Sequence, residues 1–454
     1  MKKYKPWGCI LSIVTICAFA GSAIAKDIYI SKTTGSKKGD GSKAKPKKML
    51  WKAIKGLAPG DHLFVAEGHY MGKGKKGIMP KSTISNVIIE GGWKADFSAR
   101  DPFKYLSIIG PASDRQGDSD SVFKWEASNS KIDNVTIDGF AIDRGAHAAY
   151  YGAGNPGANK KIDGHEDCTG WGFQAINTKK SGSDPTIELI GKGSFTVRNC
   201  LLINNPWWGI YIKAGGTGKV IIENNLVLIS QGRGIEAITG GGWGKPTYQI
   251  KNNTVMFGHA MKTTEGRAIS IDPRNGYGKV VVENNVLALN DGGGVTVKFK
   301  SKELSLNNNK FFFNRRADFA VGGTGVTNAD EFEDELEIDT EGNLHEMPKA
   351  LAKTAKEWFD RYSAREFVDM LAGDFNKNDE LVAMRKAFGL AEYKLPGYKE
   401  AFAAYKKLPR ARPKFNQSRY PTPLKKGEMM DWNKWVLPVI GADGKFGIQS
   451  TFAK

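Results

Sequence analysis

The chain has 454 residues, 40% of them hydrophobic and 25% charged, with 66 Lys and Arg against 48 Asp and Glu and a formal charge of +18. That apolar share excludes a disordered polyelectrolyte and is enough for a large core. The positive surplus favours acidic partners, namely polyuronates, sulfated glycans, nucleic acid or anionic surfaces.

The first 25 residues read as a secretory signal: Lys2, Lys3 and Lys5 make a basic start, Trp7 to Ala20 an apolar stretch, and Ala23-Ile24-Ala25 a small-x-small cleavage site. The apolar stretch is too short to span a bilayer, and no later stretch is long and apolar enough to do so. A secreted or periplasmic chain starting at Lys26 is expected, and secretion argues against nucleic acid as the partner. Only Cys168 and Cys200 follow the leader. A secreted pair invites a disulfide, but the repeat described below gives Cys200 a different place.

Residues 26–60 are set apart as an N-terminal cap. Between Lys26 and Lys81 stand fourteen lysines against four acids. The stretch Tyr29 to Tyr70, YISKTTGSKKGDGSKAKPKKMLWKAIKGLAPGDHLFVAEGHY, resembles the opening of many secreted right-handed parallel β-helix proteins of the pectate-lyase-like superfamily, as does the later GGWKADFSARDP. In that group a strand, a glycine loop and an amphipathic helix precede a Pro-Gly-Asp turn and the first coil. The resemblance implies that Met49, Leu50, Ala53, Ile54 and Leu57 form the apolar side of a capping helix that plugs the open end of the interior. It covers roughly residues 27 to 325 and speaks for architecture more than for activity, since the group includes lyases, hydrolases, epimerases and non-enzymatic surface proteins.

Residues 61–328 carry a repeat. TVRNCLLINNPWWGIYI, VIIENNLVLISQGRGIEAI, YQIKNNTVMFGHAM and VVVENNVLALNDGGGVTV say nearly the same thing, and LSLNNNKFFFNRRADFAV says it again. Aligned on Ile137, Val197, Ile222, Ile250, Val282 and Leu306, the copies recur at a period in the mid-twenties, lengthened at fixed places, as in a solenoid. Each copy holds three short β-like runs that bury a face only if successive coils stack in register. The prediction is a mainly β fold, a single-stranded right-handed parallel β-helix of three-strand coils. Asn225, Asn253, Asn285 and Asn309 fall at the first bend, where stacked amides would form a ladder along the axis. Cys200 takes the same slot one coil earlier, which predicts a buried thiol rather than a disulfide with Cys168.

Inserted residues gather at the two corners flanking the third run of each copy, so loops should wall a groove along that face. The resemblance places substrate across the corresponding sheet. Strand alternation then points Tyr211 and Lys213 outward, followed in later coils by Glu236, by Ser270 and Asp272, and by Thr296 and Lys298, with Asn177 and Lys179 in an earlier coil. Arg233 and Arg267 stand at matched positions just before their strands. Trp207 and Trp208 are placed to stack on sugar rings, and two insertions bring Tyr150, Tyr151 and His259 to the same face.

β-Elimination of a polyuronate needs a cation on the carboxylate, a base for the C5 proton and an acid for the departing O4 group. Arg233, Arg267, Lys213 and Lys298 are candidates for the neutralising or base roles, Tyr211 and His259 for proton transfer, and Glu236 with Asp272 for a shared Ca²⁺. Trp207, Trp208, Lys298, Asn177, Tyr150 and Tyr151 are candidate substrate contacts. The leading expectation is a monomeric polysaccharide lyase acting on an acidic polysaccharide. The alternatives are a non-catalytic glycan-binding or envelope-surface β-helix, and a glycoside hydrolase, for which Glu236 with Asp272 is the outward acid pair.

Residues 329–454 are expected to form a C-terminal cap. Asp330 to Glu346 holds nine acids and no Lys or Arg. EGNLHEMP and VLPVIGADGKFG resemble closing phrases of such helices; helical spacing marks 348–407, and 408–454 reads as irregular. Asp374-x-Asn376-x-Asn378 opens like a calcium loop, but Asp379 and Arg385 stand where Gly and Glu are needed, so a turn between helices is the better reading. His165-Glu166-Asp167-Cys168 has metal-binding atoms but no matching ligand spacing.

Overall fold

The computed structural model describes residues 25–72, 77–110, 121–131, 134–143 and 185–326, apart from short gaps at 206, 231, 259–265, 275, 277, 289, 291–292, 313 and 315–316, together with 338, 340–344 and 447. The expected leader, Cys168, the Asp374 and His165 segments, the helical stretch 348–407 and all but Gly447 of the tail lie outside these residues.

Three sheets of nine, eight and eight strands carry the chain, parallel throughout except that Thr324–Val326 closes the third one antiparallel. A representative coil runs Lys219–Glu223 in the first sheet, Leu226–Ser230 in the second and Arg233–Gly244 in the third, then enters Thr247–Lys251 of the first sheet one coil on. The strands stack residue on residue. Ile137, Val197, Ile222, Ile250, Val282 and Leu306 are successive Cα partners, as the repeat predicts. Alternation decides which side is buried: Val220 and Ile222 are fully enclosed, while Ile221 and Glu223 between and beside them keep some surface. The enclosed side chains form one apolar column down the axis, each fully buried Val, Ile or Leu contributing about 1.5–3 kcal/mol.

The bend between the first and second sheets is built from two residues. Its first residue is Asn199, Asn224, Asn252, Asn284 or Asn308, with φ of 54°, 54°, 55°, 57° and 54°. Asn tolerates this left-handed backbone better than other residues with a side chain, apart from Asp. The second residue points inward and makes the ladder. The Asn225 side-chain amide donates to Asn253 Oδ1 (2.9 Å), Asn253 to Asn285 Oδ1 (3.0 Å) and Asn285 to Asn309 Oδ1 (2.9 Å). Each also donates to a strand carbonyl, such as that of Val197 or Ile222, that the bend would leave unpaired. Cys200 occupies the predicted slot: it is fully buried, and its backbone N–H donates to Asn225 Oδ1 at 3.0 Å.

The ladder continues one rung past residue 328, where the sequence pattern placed the end of the helix. Asn309 donates to Asn343 Oδ1 (3.1 Å), and Asn343 donates to the Leu306 carbonyl (2.7 Å). A second ladder, which the repeat did not announce, lines the next corner, where Asn290 donates to Asn314 Oδ1 (3.1 Å) and Asn205 to Ser230 Oγ (3.2 Å).

At the other end, the helix Leu50–Lys55 buries Leu50, Ala53 and Ile54 in the core, and Leu57 follows them; Met49 is only half-buried. The strand Asp27–Ile30 begins the first sheet, and its outer edge is occupied: Tyr29 N–H donates to the Gly41 carbonyl, and Lys47 and Ser31 complete the pairing. A bare strand edge at the end of a stack would invite another chain.

Candidate functional site

The third sheet presents its outer face through Ile187–Lys192, Trp208–Gly216, Arg233–Gly244, Arg267–Asp272 and Gly293–Val297. Ile210, Ile212, Ile235, Ala237, Ile269 and Ile271 fill the interior, so the residues between them face out. Register sorts these into columns along the axis. One column is Glu188, Tyr211, Glu236, Ser270 and Thr296. A second, toward the preceding corner, is Trp208, Arg233 and Arg267. A third holds Lys213, Ile238 and Asp272.

The strand preceding Trp208–Gly216 corrects one expectation. It is Ile187–Lys192, so the position beside Tyr211 belongs to Glu188 and not to Asn177, which, with Lys179, lies outside the described residues. The apolar alternation of Ile187 and Leu189 won this place because both side chains are fully buried. Tyr150, Tyr151 and His259 also lie outside the described residues.

The carboxylates on this face are paired. Glu236 is buried although it points away from the core, and it forms an ion pair with Arg233 three residues earlier on its own strand. Glu188, also buried, accepts from Ser121 Oγ (2.9 Å) and lies 2.7 Å from Lys124 Nζ. Asp272 sits 3.6 Å from both Arg274 and Lys298. Glu236 and Asp272 are two positions out of register, since Glu236 pairs with Ser270 and Asp272 with Ile238. Among the described residues no group of three or more His, Cys, Asp or Glu could hold a metal ion.

The aromatic residues divide. Trp207 is buried and meets Trp208 edge-on at 5.3 Å, so it braces its neighbour instead of offering a face to a ligand. Trp208 leans over Tyr211 at 5.2 Å, and both keep some of their surface. Tyr211 is thus enclosed by Trp208 and by carboxylates on both adjacent coils. Burial first, then the Glu236 charge, push its hydroxyl up to about 12. A phenol so held keeps its proton at neutral pH, which suits a donor and not a base. Lys213 Nζ lies 4.8 Å from the Trp243 ring centroid.

Sequence reasoning therefore found Tyr211, Glu236, Arg233 and Arg267 in their true register but missed Glu188, Lys124 and Trp243. Glu188 follows a long insertion whose run around Asn177 competes with IELI for the same place; Trp243 sits in a glycine run that carries no strand period.

Residues 117–330 match the family model described as "Right handed beta helix region". No curated protein matches the chain. Among solved structures, the crystal structure of pectate lyase Pel9A is similar at 12% identity and a TM-score of 0.33, over 72% of this chain and 82% of that one, a likeness too distant to carry chemistry across. The three registered parallel sheets, together with the family match over residues 117–330, make the fold of the described residues a right-handed parallel β-helix.

Proposed function

We propose that the outer face of the third sheet acts on an acidic polysaccharide, by β-elimination of a polyuronate. The observation that supports this reading is the pair of adjacent columns: a proton-holding phenol between carboxylates, beside two arginines and an aromatic ring. In this reading Arg233 holds Glu236, and Arg267 beside it, whose guanidinium group offers five N–H donors, neutralises the uronate carboxylate. That makes the C5 proton acidic. Tyr211 donates its proton to O4 as the C4–O4 bond breaks, and a base takes the C5 proton as the C4–C5 double bond forms. His259 remains the candidate base. The expected leader places the reaction outside the cytoplasm, and among the described residues no helix is long and apolar enough to cross a membrane.

A second reading, binding without turnover, is favoured by the pairing of Glu236 with Arg233 and of Asp272 with Arg274 and Lys298, which leaves those carboxylates as pieces of a scaffold. It is also the reading under which a hydrolase loses ground, because paired, out-of-register carboxylates are poorly set for acid–base work on one bond. The deciding experiment is incubation with pectate, alginate and glycosaminoglycans, with and without Ca²⁺, followed by near-UV absorbance of unsaturated uronates. Rising absorbance on one substrate supports elimination. Retention on a polyanionic glycan column that weakens with salt, without product, supports the binder. Neither result on any glycan overturns both.

A further inference from the structure

The strand Arg233–Gly244 runs past its apolar stretch into a glycine-rich end carrying Trp243. This indole stands outside the core cluster and is only half-buried. It lies on the outer face of the third sheet, across two glycines. A Cβ on Gly215, one coil back, would stand 2.3 Å from Trp243 Cβ, and one on Gly240 would stand 2.1 Å from its Cε3. Any side chain at either position would lift the ring from the sheet. Gly215 is two residues beyond Lys213 and four beyond Tyr211 on one strand, so all three share the outward side. Lys213 Nζ sits over the indole, 4.8 Å from the ring centroid. The result is a flat apolar surface with an ammonium beside it, about 13 Å along the strand from Tyr211.

Such a pairing matches one kind of ligand unit, a ring with an apolar C–H face and an attached anion. Resting on the reading that this face takes an acidic polysaccharide, we propose that Trp243 and Lys213 form a subsite for one uronate unit. The sugar face stacks on the indole, and its carboxylate draws Lys213 from the ring into an ion pair. The distance to Tyr211 exceeds one sugar ring, so a ligand that touches both is an oligomer. The subsite therefore favours longer chains over dimers.

The test is calorimetric titration of the full chain with oligogalacturonates and oligomers of alginate, from dimer to hexamer. Trp243→Ala and Gly215→Ala, the second keeping the indole but displacing it, should each weaken hexamer binding about tenfold and dimer binding far less. Trp243→Phe should keep most of the affinity, and Lys213→Ala should weaken binding and flatten its salt dependence. Far-UV circular dichroism and thermal melts establish folding, and if Gly215→Ala does not fold, Trp243→Ala decides. Unchanged hexamer affinity in Trp243→Ala, with wild-type binding intact, overturns the subsite and leaves the proposed function standing. Absence of wild-type binding to every oligomer overturns both.

Discussion

Tyr211 and Glu236 are Cα partners on adjacent coils, so the phenol stands directly beside a buried carboxylate. Burial and that charge push the hydroxyl up to about 12. The unfolded chain would titrate near the usual tyrosine value of about 10. With the folded value the higher, the stabilisation is fully present below the unfolded value and is lost as pH climbs toward the folded one. Tyrosinate absorbance of wild type minus Tyr211→Phe should show one late-titrating group, and Glu236→Gln should move it down. A group titrating at the ordinary value would contradict the enclosure described above.

The Arg233–Glu236 ion pair makes a complementary prediction. Arg233→Ala leaves a buried carboxylate without its cation and should cost about 3 kcal/mol. Replacing both residues by Met should recover much of that loss, because a well-packed apolar pair needs no compensating charge. Urea unfolding of the three variants is the check. Equal loss in single and double variants would mean that packing, not charge, holds the site.

The two residues of each Asn bend should behave differently. Asn253→Ala removes donors to Ile222 and Asn285 and an acceptor for Asn225, so denaturation should reveal a loss of about 3 kcal/mol. Its neighbour Asn252, at φ 55°, needs only a residue at ease in the left-handed region. Asn252→Gly should therefore stay within about 1 kcal/mol of wild type, while Asn252→Val should be clearly destabilised.

Cys200 should be chemically silent in the native state. Burial pushes its thiol up to about 12, and thiolate is the reactive form. In a Cys168→Ser background, a thiol reagent such as DTNB should label no cysteine after the leader until denaturant is added. Prompt labelling of the native protein would place Cys200 outside the ladder.

The stacking was readable because it rests on repetition: an Asn and an apolar alternation recurring at one spacing can be satisfied only by coils in register. Ile222 over Val197 follows from that alone. What alternation could not reveal was pairing between side chains of the outward set. It placed Glu236 outward, but nothing in the spacing says that Arg233 would fold back upon it. Glu188 was hidden because the long insertion before it offers a rival run around Asn177, and burial of Ile187 and Leu189 decides between them only in three dimensions. Trp243 escaped because glycines have no period; its place depends on what is missing from Gly215 and Gly240.

The rung at Asn343 changes how the protein should be cut. Glu341 and Asn343 carry the stack on beyond Val326: the Glu341 N–H donates to Asn307 Oδ1 at 2.6 Å. A deletion ending at residue 328 would not separate independent modules at a seam. It would strip the partner from Asn309 and leave the terminal amide row open-ended, so a shortened version made for crystallisation or display should keep Leu344, whose N–H closes on Asn309.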